Sequence, residues 1–390
     1  MKKFASLKGI SFLYLLFLSS IWALNFAGRT ILSPVLPLIE DEFLISHAKA
    51  SSIFIFLSLG YGVSVFLSGL LSGIFGYKKS IIVSLLVTAF MFFLTPFVKA
   101  FALLYAVALI IGMATGIYIP AVIPLITSYY EEKVWSKAIA IHDSAASIGV
   151  FAAPLIALFL LRFFQWRGVL GIMGFAFVAA AIAFYFLINE LKVARVTKAV
   201  FGKFIRRRAL WVLSIIWVFA ASTSIGVYYV TPLFLTKELH LDLGYANTIF
   251  GISRLGGFVV AISSGFLVSR FSVRSIMVSI LIISGASTAF VALAGVKFVG
   301  IALFLQASFI YGFFPAGLIA ISRIFDLNVR AIATGFIFGF GVIIGWGITP
   351  YLLGLSGDIL GFKFGILMLG ILVIISSGLV FLIEELGPKK

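Results

Sequence analysis

The sequence predicts an all-α membrane protein built from twelve transmembrane helices in two pseudo-symmetric six-helix halves. Hydrophobic residues make up 63% of the chain and charged residues only 11%, which is too apolar for a water-soluble globule. Glycine and proline positions recur at offsets of 195 or 196 in a chain of 390 residues, which indicates two copies of one unit. The recurring pairs are Pro37 and Pro232, Gly69 and Gly265, Pro120 and Pro315, and Pro154 and Pro350. Duplicated membrane halves are typical of secondary transporters.

Twelve apolar stretches of roughly 18 residues or more, the length that crosses the hydrocarbon core, account for the predicted helices. In the first half they are residues 10–38, 51–75, 81–98, 102–129, 138–161 and 168–188. In the second half they are residues 209–235, 245–271, 276–294, 299–324, 331–355 and 362–383. We therefore expect a first half at 1–188, a basic cytoplasmic linker at 189–208 and a second half at 209–390. The first span contains Asn25 and Arg29 and lacks a small-residue cleavage site, which indicates a retained helix rather than a signal peptide.

The distribution of basic residues sets the predicted orientation. If both termini are cytoplasmic, 20 of the 29 Lys and Arg residues lie on the cytoplasmic side, 7 on the opposite side and 2 inside spans. This asymmetry predicts a multi-pass protein of the cell (inner) membrane. The formal charge of +16 is spread over loops beside lipid headgroups, so it indicates a lipid bilayer as partner and no nucleic acid.

The sequence shows none of the patterns of an enzyme or a metal protein. It contains no cysteine, and its three histidines, His47, His142 and His240, lack the spacing of a zinc site. No nucleophile and base stand in a recognisable arrangement. We therefore expect no enzymatic activity, no metal and no cofactor, and we expect a monomer.

Two loops carry a specific family resemblance. The segment from Gly69 to Lys78, GLLSGIFGYK, resembles the Gly-x-Leu-x-Asp-Arg-x-Gly-Arg-Lys signature of the major facilitator superfamily, with Gly73 in place of the Asp. The second copy, GFLVSRFSVR from Gly265 to Arg274, also lacks the Asp. In that family the acidic residue helps to latch the cytoplasmic face, so the resemblance implies a weakened latch here. It implies gating or structural roles for Gly69, Lys78, Gly265, Arg270 and Arg274.

Glycine and proline patterns in the fifth and eleventh spans predict close helix packing. The segment GVFAAP, from Gly149 to Pro154, resembles the fifth-helix Gly-x-x-x-Gly-Pro pattern of antiporters in the superfamily, with Ala153 in place of the second Gly. Packing and kinking explain such residues equally well, in importers and exporters alike. We expect structural roles for Pro154 and its repeat partner Pro350. A small-residue surface in the eleventh span comprises Gly335, Gly339, Gly341, Gly345 and Gly347.

Two arginines inside predicted spans are the leading candidates for a substrate site. A charged side chain at the bilayer centre costs about 2.5–3.5 kcal/mol on insertion scales, and such residues usually face a cavity or a partner. The segment from Asn25 to Arg29 resembles the Asn-Tyr-x-Asp-Arg pattern in the first helix of anion:cation symporters of the superfamily, with Gly28 in place of the Asp. Arg254 resembles the eighth-helix arginine of oxalate and monocarboxylate transporters. Two guanidinium groups at one cavity would bind carboxylate or phosphate oxygens, whereas the alternative is that each arginine braces the helix bundle.

Further residues complete the predicted site. Tyr228 and Tyr229 lie in the seventh span, which lines the cavity in the family. The predicted substrate-binding residues are Arg29, Arg254, Asn25, Tyr228, Tyr229, Tyr118 and Gln306. His142 and Asp143 are the predicted proton-coupling residues, because a buried His or Asp can titrate near neutral pH. The alternatives are packing for the aromatic residues and a hydrated helix start for the pair.

These features predict a secondary transporter of a small organic anion, a mono- or dicarboxylate, working by alternating access with protons as the coupling ion. Anion exchange is one alternative. Efflux of amphipathic drugs is another, favoured by the segment at Gly149, although Ala108 stands where the drug-exporter pattern has an Arg. A membrane sensor or scaffold is a further hypothesis, but nothing resembles a signalling domain. The sequence alone does not choose the substrate or the direction of transport.

Overall fold

The computed structural model of the protein describes residues 4–189 and 205–386. Side chains are not described at positions 66–75, 136, 258, 262, 265–269, 327, 328 and 331. The predicted structural residues Gly69 and Gly265 therefore occupy helical positions whose side chains lie outside the described residues, and most of the predicted linker at 189–208 lies outside them as well.

The described structure is helical almost throughout. The α-helices before the linker are α1 Ile10–Thr30, α2 Leu32–Phe43, α3 His47–Ser51, α4 Ile53–Phe75, α5 Tyr77–Leu94, α6 Phe101–Gly116, α7 Tyr118–Tyr129, α8 Glu132–Leu160 and α9 Trp166–Leu187. Those after it are α10 Arg208–Ala221, α11 Val227–Leu233, α12 Leu243–Ile252, α13 Leu255–Arg270, α14 Val273–Leu293, α15 Val299–Ile310, α16 Phe313–Ile324, α17 Leu327–Gly341, α18 Thr349–Ile359 and α19 Phe362–Ser376. The π-helical segments are Ser222–Gly226, Phe234–Glu238 and Val342–Ile348.

The described residues contain 11 helices that are long and apolar enough to cross a membrane. Each overlaps a predicted span, and most of the ends differ by a few residues. The remaining predicted span, at 245–271, is occupied by α12 and α13, which a turn at Ser253 and Arg254 separates. This eighth span is thus present as two shorter helices, and the prediction of an all-α membrane fold is confirmed.

Prolines explain several breaks inside the spans. A proline has no N–H, so it removes the α-helical bond to the carbonyl four residues earlier. Pro120 lies three residues after the turn at Ile117 that separates α6 from α7, and Pro315 follows the turn at Tyr311 and Gly312 that separates α15 from α16. The two breaks therefore recur at nearly the offset of the sequence repeat. The break before Arg254 is different, because no proline lies near it.

Contacts divide the chain into two compact units. Unit 1 comprises Met1–Leu32 and Leu59–Thr197, and within it α1 packs against α8 and α5 packs against α9. Unit 2 comprises Ser33–Ser58 and Lys198–Lys390, and within it α14 packs against α19, α10 against α17 and α3 against α18. The segment 33–58 thus groups with unit 2, whereas the predicted division at 1–188 and 209–390 assigns it to the first half.

In unit 2, the absence of a side chain at Gly345 allows two helical segments to lie in close contact. A Cβ added at Gly345 would lie 2.5 Å from the Ala221 Cβ and 2.8 Å from the Ser222 backbone nitrogen. Next to this contact, the hydroxyls of Ser222 and Thr349 are hydrogen-bonded at 2.8 Å. Both sides of the contact are π-helical, in the segments Ser222–Gly226 and Val342–Ile348. Part of the predicted small-residue surface of the eleventh span therefore packs on the seventh span.

The segment 33–58 also supplies a backbone partner inside unit 2. Pro232 cannot donate a helical bond to the carbonyl of Tyr228. The Ser33 hydroxyl donates to that carbonyl at 2.9 Å and to the carbonyl of Tyr229 at 3.2 Å. The Ser33 side chain on α2 thus satisfies two backbone carbonyls close to Pro232 in the seventh span.

Candidate functional site

Arg254 lies at the break between α12 and α13. Its backbone N–H donates to the carbonyl of Gly251 at 3.0 Å, a three-residue bond that closes the turn rather than continuing the helix. Gly256 and Gly257 are the second and third residues of α13, and glycine is a poor helix former. A Cβ at Gly256 would lie 1.9 Å from the Ser308 hydroxyl oxygen, and a Cβ at Gly257 would lie 2.6 Å from the Tyr311 ring. The glycines therefore allow close contact with the tenth span, directly beside the arginine.

The Arg254 guanidinium is buried among aromatic rings. The residue is 3% exposed, and its Cζ lies 4.9 Å from the Tyr228 ring centroid and 5.0 Å from that of Phe250. Its Nε, Nη1 and Nη2 atoms are all buried, and none has a hydrogen-bond acceptor within the part of the chain that the structure describes. The ring faces attract the cation. They do not accept its hydrogen bonds, so the guanidinium retains a full set of donors for an anion.

Tyr228 and Tyr229 have different surroundings. The Tyr228 ring packs on Phe250 with centroids 4.4 Å apart and on Arg254 as described. The Tyr229 ring stacks on Phe54, with centroids 3.8 Å apart and planes at 6°. The structure therefore brings Tyr228 to Arg254 and stacks Tyr229 on Phe54.

Unit 2 also contains two buried amides, Asn247 and Gln306. Asn247 lies seven residues before Arg254 and donates from Nδ2 to the carbonyl of Pro34 at 3.3 Å. Gln306 donates from Nε2 to the carbonyl of Thr223. Both residues are 0% exposed, and the oxygens of both amides have no donor among the residues described. Gln306 was predicted from the sequence, whereas Asn247 was not, although it lies on α12 three residues before Phe250, which contacts Arg254.

Arg29 lies in a second aromatic cluster, in unit 1. It is 2% exposed, and its Cζ lies 4.1 Å from the ring centroids of Phe26 and Tyr61 and 5.8 Å from that of Trp22. Asn25, one turn earlier, donates from Nδ2 to the carbonyl of Thr115 at 3.2 Å. This bond ties α1 to α6, which gives Asn25 a packing contact in addition to its predicted role.

Gly28 occupies the position where the symporter pattern has an Asp, and the packing shows why an acid does not fit there. A Cβ at this position would lie 2.7 Å from the Phe177 Cζ atom. That distance is well below van der Waals contact, so a larger residue would have to displace the ring. The departure from the family pattern is thus matched by Phe177 on α9.

His142 belongs to a stack of three rings with Trp22 and Tyr118. The His142 ring lies 5.9 Å from Trp22 and 5.8 Å from Tyr118, with interplanar angles of 14° and 18°. The Tyr118 hydroxyl donates its single proton to the Leu18 carbonyl at 2.8 Å. The 3.2 Å bond between this hydroxyl and the His142 Nε2 therefore requires Nε2 to be the donor.

The tautomer of His142 determines where it can accept a proton. With Nε2 protonated, a neutral imidazole has its lone pair on Nδ1. This Nδ1 atom is buried and has no partner in the described ranges. Asp143, the next residue on α8, is exposed. The two predicted proton-coupling residues thus differ in exposure, because the His142 side chain is buried whereas Asp143 is exposed.

The remaining predicted gating and structural residues lie near helix ends or inside helices. The Lys78 Nζ donates to the Tyr185 carbonyl at 2.7 Å, and the Arg274 Nη2 donates to the Ile383 carbonyl at 2.7 Å. Arg270 is exposed at the end of α13. Pro154 is inside α8, and Pro350 is at the start of α18. The lysine and Arg274 thus join α5 and α14 to the ends of other spans.

Two features are typical of a multi-pass membrane transporter: apolar helices of membrane-spanning length, and a buried arginine in each unit. Residues 18–337 match the Major Facilitator Superfamily, and the chain belongs to this family. The predicted family and fold are confirmed, and the protein is a transporter rather than an enzyme.

Relatives of known name share low but extensive similarity with the chain. It is 24% identical over 318 residues to the uncharacterized MFS-type transporter YybF of Bacillus subtilis (strain 168), covering 77% of this chain and 76% of that protein. It is 22% identical over 269 residues to the hexuronate transporter of the same organism, covering 65% and 63%. It also resembles the solved structure of a bacterial homolog of the human lysosomal transporter Spinster, in an inward-facing and unoccupied conformation. That match has a TM-score of 0.79 at 16% identity, covers 94% of this chain and 95% of that chain, and shows the shared fold.

Proposed function

We propose that the protein carries a small organic anion, a mono- or dicarboxylate, across the cell membrane. The observation that carries this proposal is the Arg254 guanidinium, which is buried with three nitrogens that have no acceptor among the described residues. Leaving a buried polar group without a partner costs about 1–3 kcal/mol, and more for a charged group. A carboxylate would supply two acceptor oxygens and a compensating charge.

The geometry of the side chains favours a planar anion. A guanidinium presents its N–H groups in a rigid fork that matches two carboxylate oxygens, and such bidentate bonds are stronger than neutral ones. The Tyr228 and Phe250 rings, near 5 Å from the Arg254 Cζ, exclude water from this fork. The attraction between unlike charges is greater where water is excluded. Arg29 is the corresponding cation of unit 1, and its rings Phe26 and Tyr61 provide a similar setting.

The relatives support an anionic substrate in one respect. The hexuronate transporter takes its name from a sugar acid, and a hexuronate carries a carboxylate. The proposal for this chain rests on Arg254 and does not require the same substrate.

For proton coupling, we propose His142 as the residue that accepts the proton. Its Nε2 donates to Tyr118, so the additional proton binds at Nδ1. Protonation would add a positive charge to the stack of Trp22, Tyr118 and His142 on α1, α7 and α8, and Arg29 also faces Trp22. A proton and an anion carried together would keep the transported charge small, which favours symport of the two.

The test is uptake of labelled carboxylates by purified protein in proteoliposomes. Arg254→Ala is expected to weaken anion binding by about 10- to 100-fold, since a hydrogen bond to a charged group contributes about 1.5–3 kcal/mol. Arg254→Lys retains the charge without the fork and should have an intermediate effect. Arg162→Ala, which removes an exposed arginine, is the matched control. Uptake by Arg254→Ala at the level of the control would disprove the proposed site.

A further inference from the structure

The orientation of the Asn247 amide is fixed by its neighbour. A backbone carbonyl only accepts, so the Asn247 group that faces the Pro34 carbonyl at 3.3 Å must be the NH₂. The Asn247 Oδ1 atom therefore points elsewhere, and it is buried with no donor among the residues that the structure describes. The same reasoning applies to Gln306, whose NH₂ faces the Thr223 carbonyl and whose Oε1 has no donor.

Unit 2 thus holds both kinds of unmatched hydrogen-bonding group. Arg254 offers donors and a positive charge, whereas Asn247 and Gln306 offer acceptors. An anion that contains only acceptors, such as a simple carboxylate, would match Arg254 and leave both amide oxygens unsatisfied. Each unsatisfied buried acceptor is unfavourable by about 1–3 kcal/mol. A ligand that matches all three residues needs hydroxyl or amine donors as well as a carboxylate.

The helix geometry places Asn247 within reach of the same ligand as Arg254. The Arg254 guanidinium lies over a residue of α12, because its Cζ is 5.0 Å from the Phe250 ring centroid. Phe250 in turn lies three residues after Asn247, which corresponds to a rise of about 4.5 Å at 1.5 Å per residue. Asn247 and Phe250 are therefore neighbours on one face of α12, and the Phe250 ring that contacts the guanidinium lies next to the amide.

We infer that the transported anion is a hydroxylated carboxylate, such as a sugar acid or a hydroxy acid, with its carboxylate on Arg254 and a hydroxyl donating to the Asn247 Oδ1. Gln306 is the acceptor for a further hydroxyl. This inference rests on the proposed function and narrows its substrate class. Asn247 is then a specificity-determining residue, because it distinguishes a hydroxylated acid from a deoxygenated acid of the same size.

The experiment compares two acids of similar size and equal charge, D-glucuronate and cyclohexanecarboxylate. Their affinities for the purified full-length protein are measured by isothermal titration calorimetry. The unsubstituted protein is expected to bind glucuronate at least 10-fold more tightly. In Asn247→Leu this ratio should fall by about 10-fold, while cyclohexanecarboxylate binding persists. The ratio is measured within one protein, so a partial loss of folded protein does not alter it.

The outcomes separate this inference from the proposed function. Thr288→Val, which removes a buried hydroxyl from α14, should leave the ratio unchanged. If the unsubstituted protein binds both acids equally, or if Asn247→Leu retains the full preference, the hydroxyl assignment is wrong. If Arg254→Ala then abolishes binding of both acids, the anion site stands without that assignment. If Arg254→Ala binds both acids normally, or if neither acid binds the unsubstituted protein, both the site and the assignment fail.

Discussion

The glycine contact between the seventh and eleventh spans makes a quantitative prediction for Gly345→Ala. The new Cβ would lie 2.5 Å from the Ala221 Cβ and 2.8 Å from both the Ser222 nitrogen and the Val218 oxygen. Two of these three atoms belong to backbone, so a side-chain rotation does not relieve the contact. Since carbon atoms normally approach to about 3.5–4.0 Å, the two segments must separate by about 1 Å. Overpacking of this kind costs about 1–3 kcal/mol.

The assay is thermal unfolding of the purified protein in detergent. Domains of 150–250 residues lose about 2–4 °C per kcal/mol, so we expect Gly345→Ala to unfold about 5 °C below the unsubstituted protein. The matched control is Gly335→Ala in the same span, where an added Cβ would meet nothing within 4 Å. Because alanine is the better helix former, the control should unfold at the same temperature or slightly higher.

A second substitution tests whether the contact itself is responsible. A Cβ at Gly226 would lie 2.4 Å from the Gly345 carbonyl oxygen, across the same interface. Once Gly345→Ala has separated the segments, adding Gly226→Ala should cost less than it does alone, so the two effects should not add. Equal unfolding temperatures for Gly345→Ala and Gly335→Ala, or strict additivity of the pair, would refute the reasoning.

Three further predictions concern single side chains. The Asp358 carboxylate accepts hydrogen bonds from the first two N–H groups of α3, at 2.8 and 2.9 Å. Asp358→Ala should therefore destabilise the protein by about 1–2 kcal/mol, measured by thermal unfolding. The control is Asp326→Ala, which should have little effect because Asp326 precedes a helix without capping it through its side chain. Ser33→Ala removes the hydroxyl donated to the Tyr228 carbonyl and should destabilise by about 1–3 kcal/mol in the same assay; an unchanged unfolding temperature would mean that another group satisfies this carbonyl. His142→Gln should abolish accumulation driven by a pH gradient while anion counterflow persists, and accumulation that persists would exclude His142 as the proton acceptor.

Helix positions were predictable from the sequence because lipid requires long apolar stretches, and proline explained why spans break near Pro120 and Pro315. The break at Arg254 was not predictable in the same way, since no proline lies near it, and the close contact of α13 with Ser308 and Tyr311 is visible only in the tertiary structure. The grouping of residues 33–58 with unit 2 was not predictable either, because the repeat in the sequence carries no information on which helices make contact.

The site residues also differ in whether the sequence alone reveals them. Arg29 and Arg254 were found because a charge inside a span is costly enough to be noticed in a sequence. Asn247 was not found, because a single amide in an apolar helix has no such signature until its hydrogen bond to Pro34 shows which atom remains unmatched. The pairing of His142 with Trp22 and Tyr118 joins three helices, and only tertiary structure brings these rings together.

The interrupted eighth span has a consequence for biogenesis. A segment with an arginine at its centre moves from the translocon into lipid at a free-energy cost of about 2.5–3.5 kcal/mol. In addition, the turn at Ser253 and Arg254 leaves neither α12 nor α13 long enough to span the membrane alone. One of the two rings that cover the guanidinium belongs to Tyr228, in the span synthesised immediately before. We therefore expect the nascent seventh and eighth spans to enter the bilayer as a pair, so that the arginine most directly implicated in recognising cargo also delays the membrane insertion of its own helix.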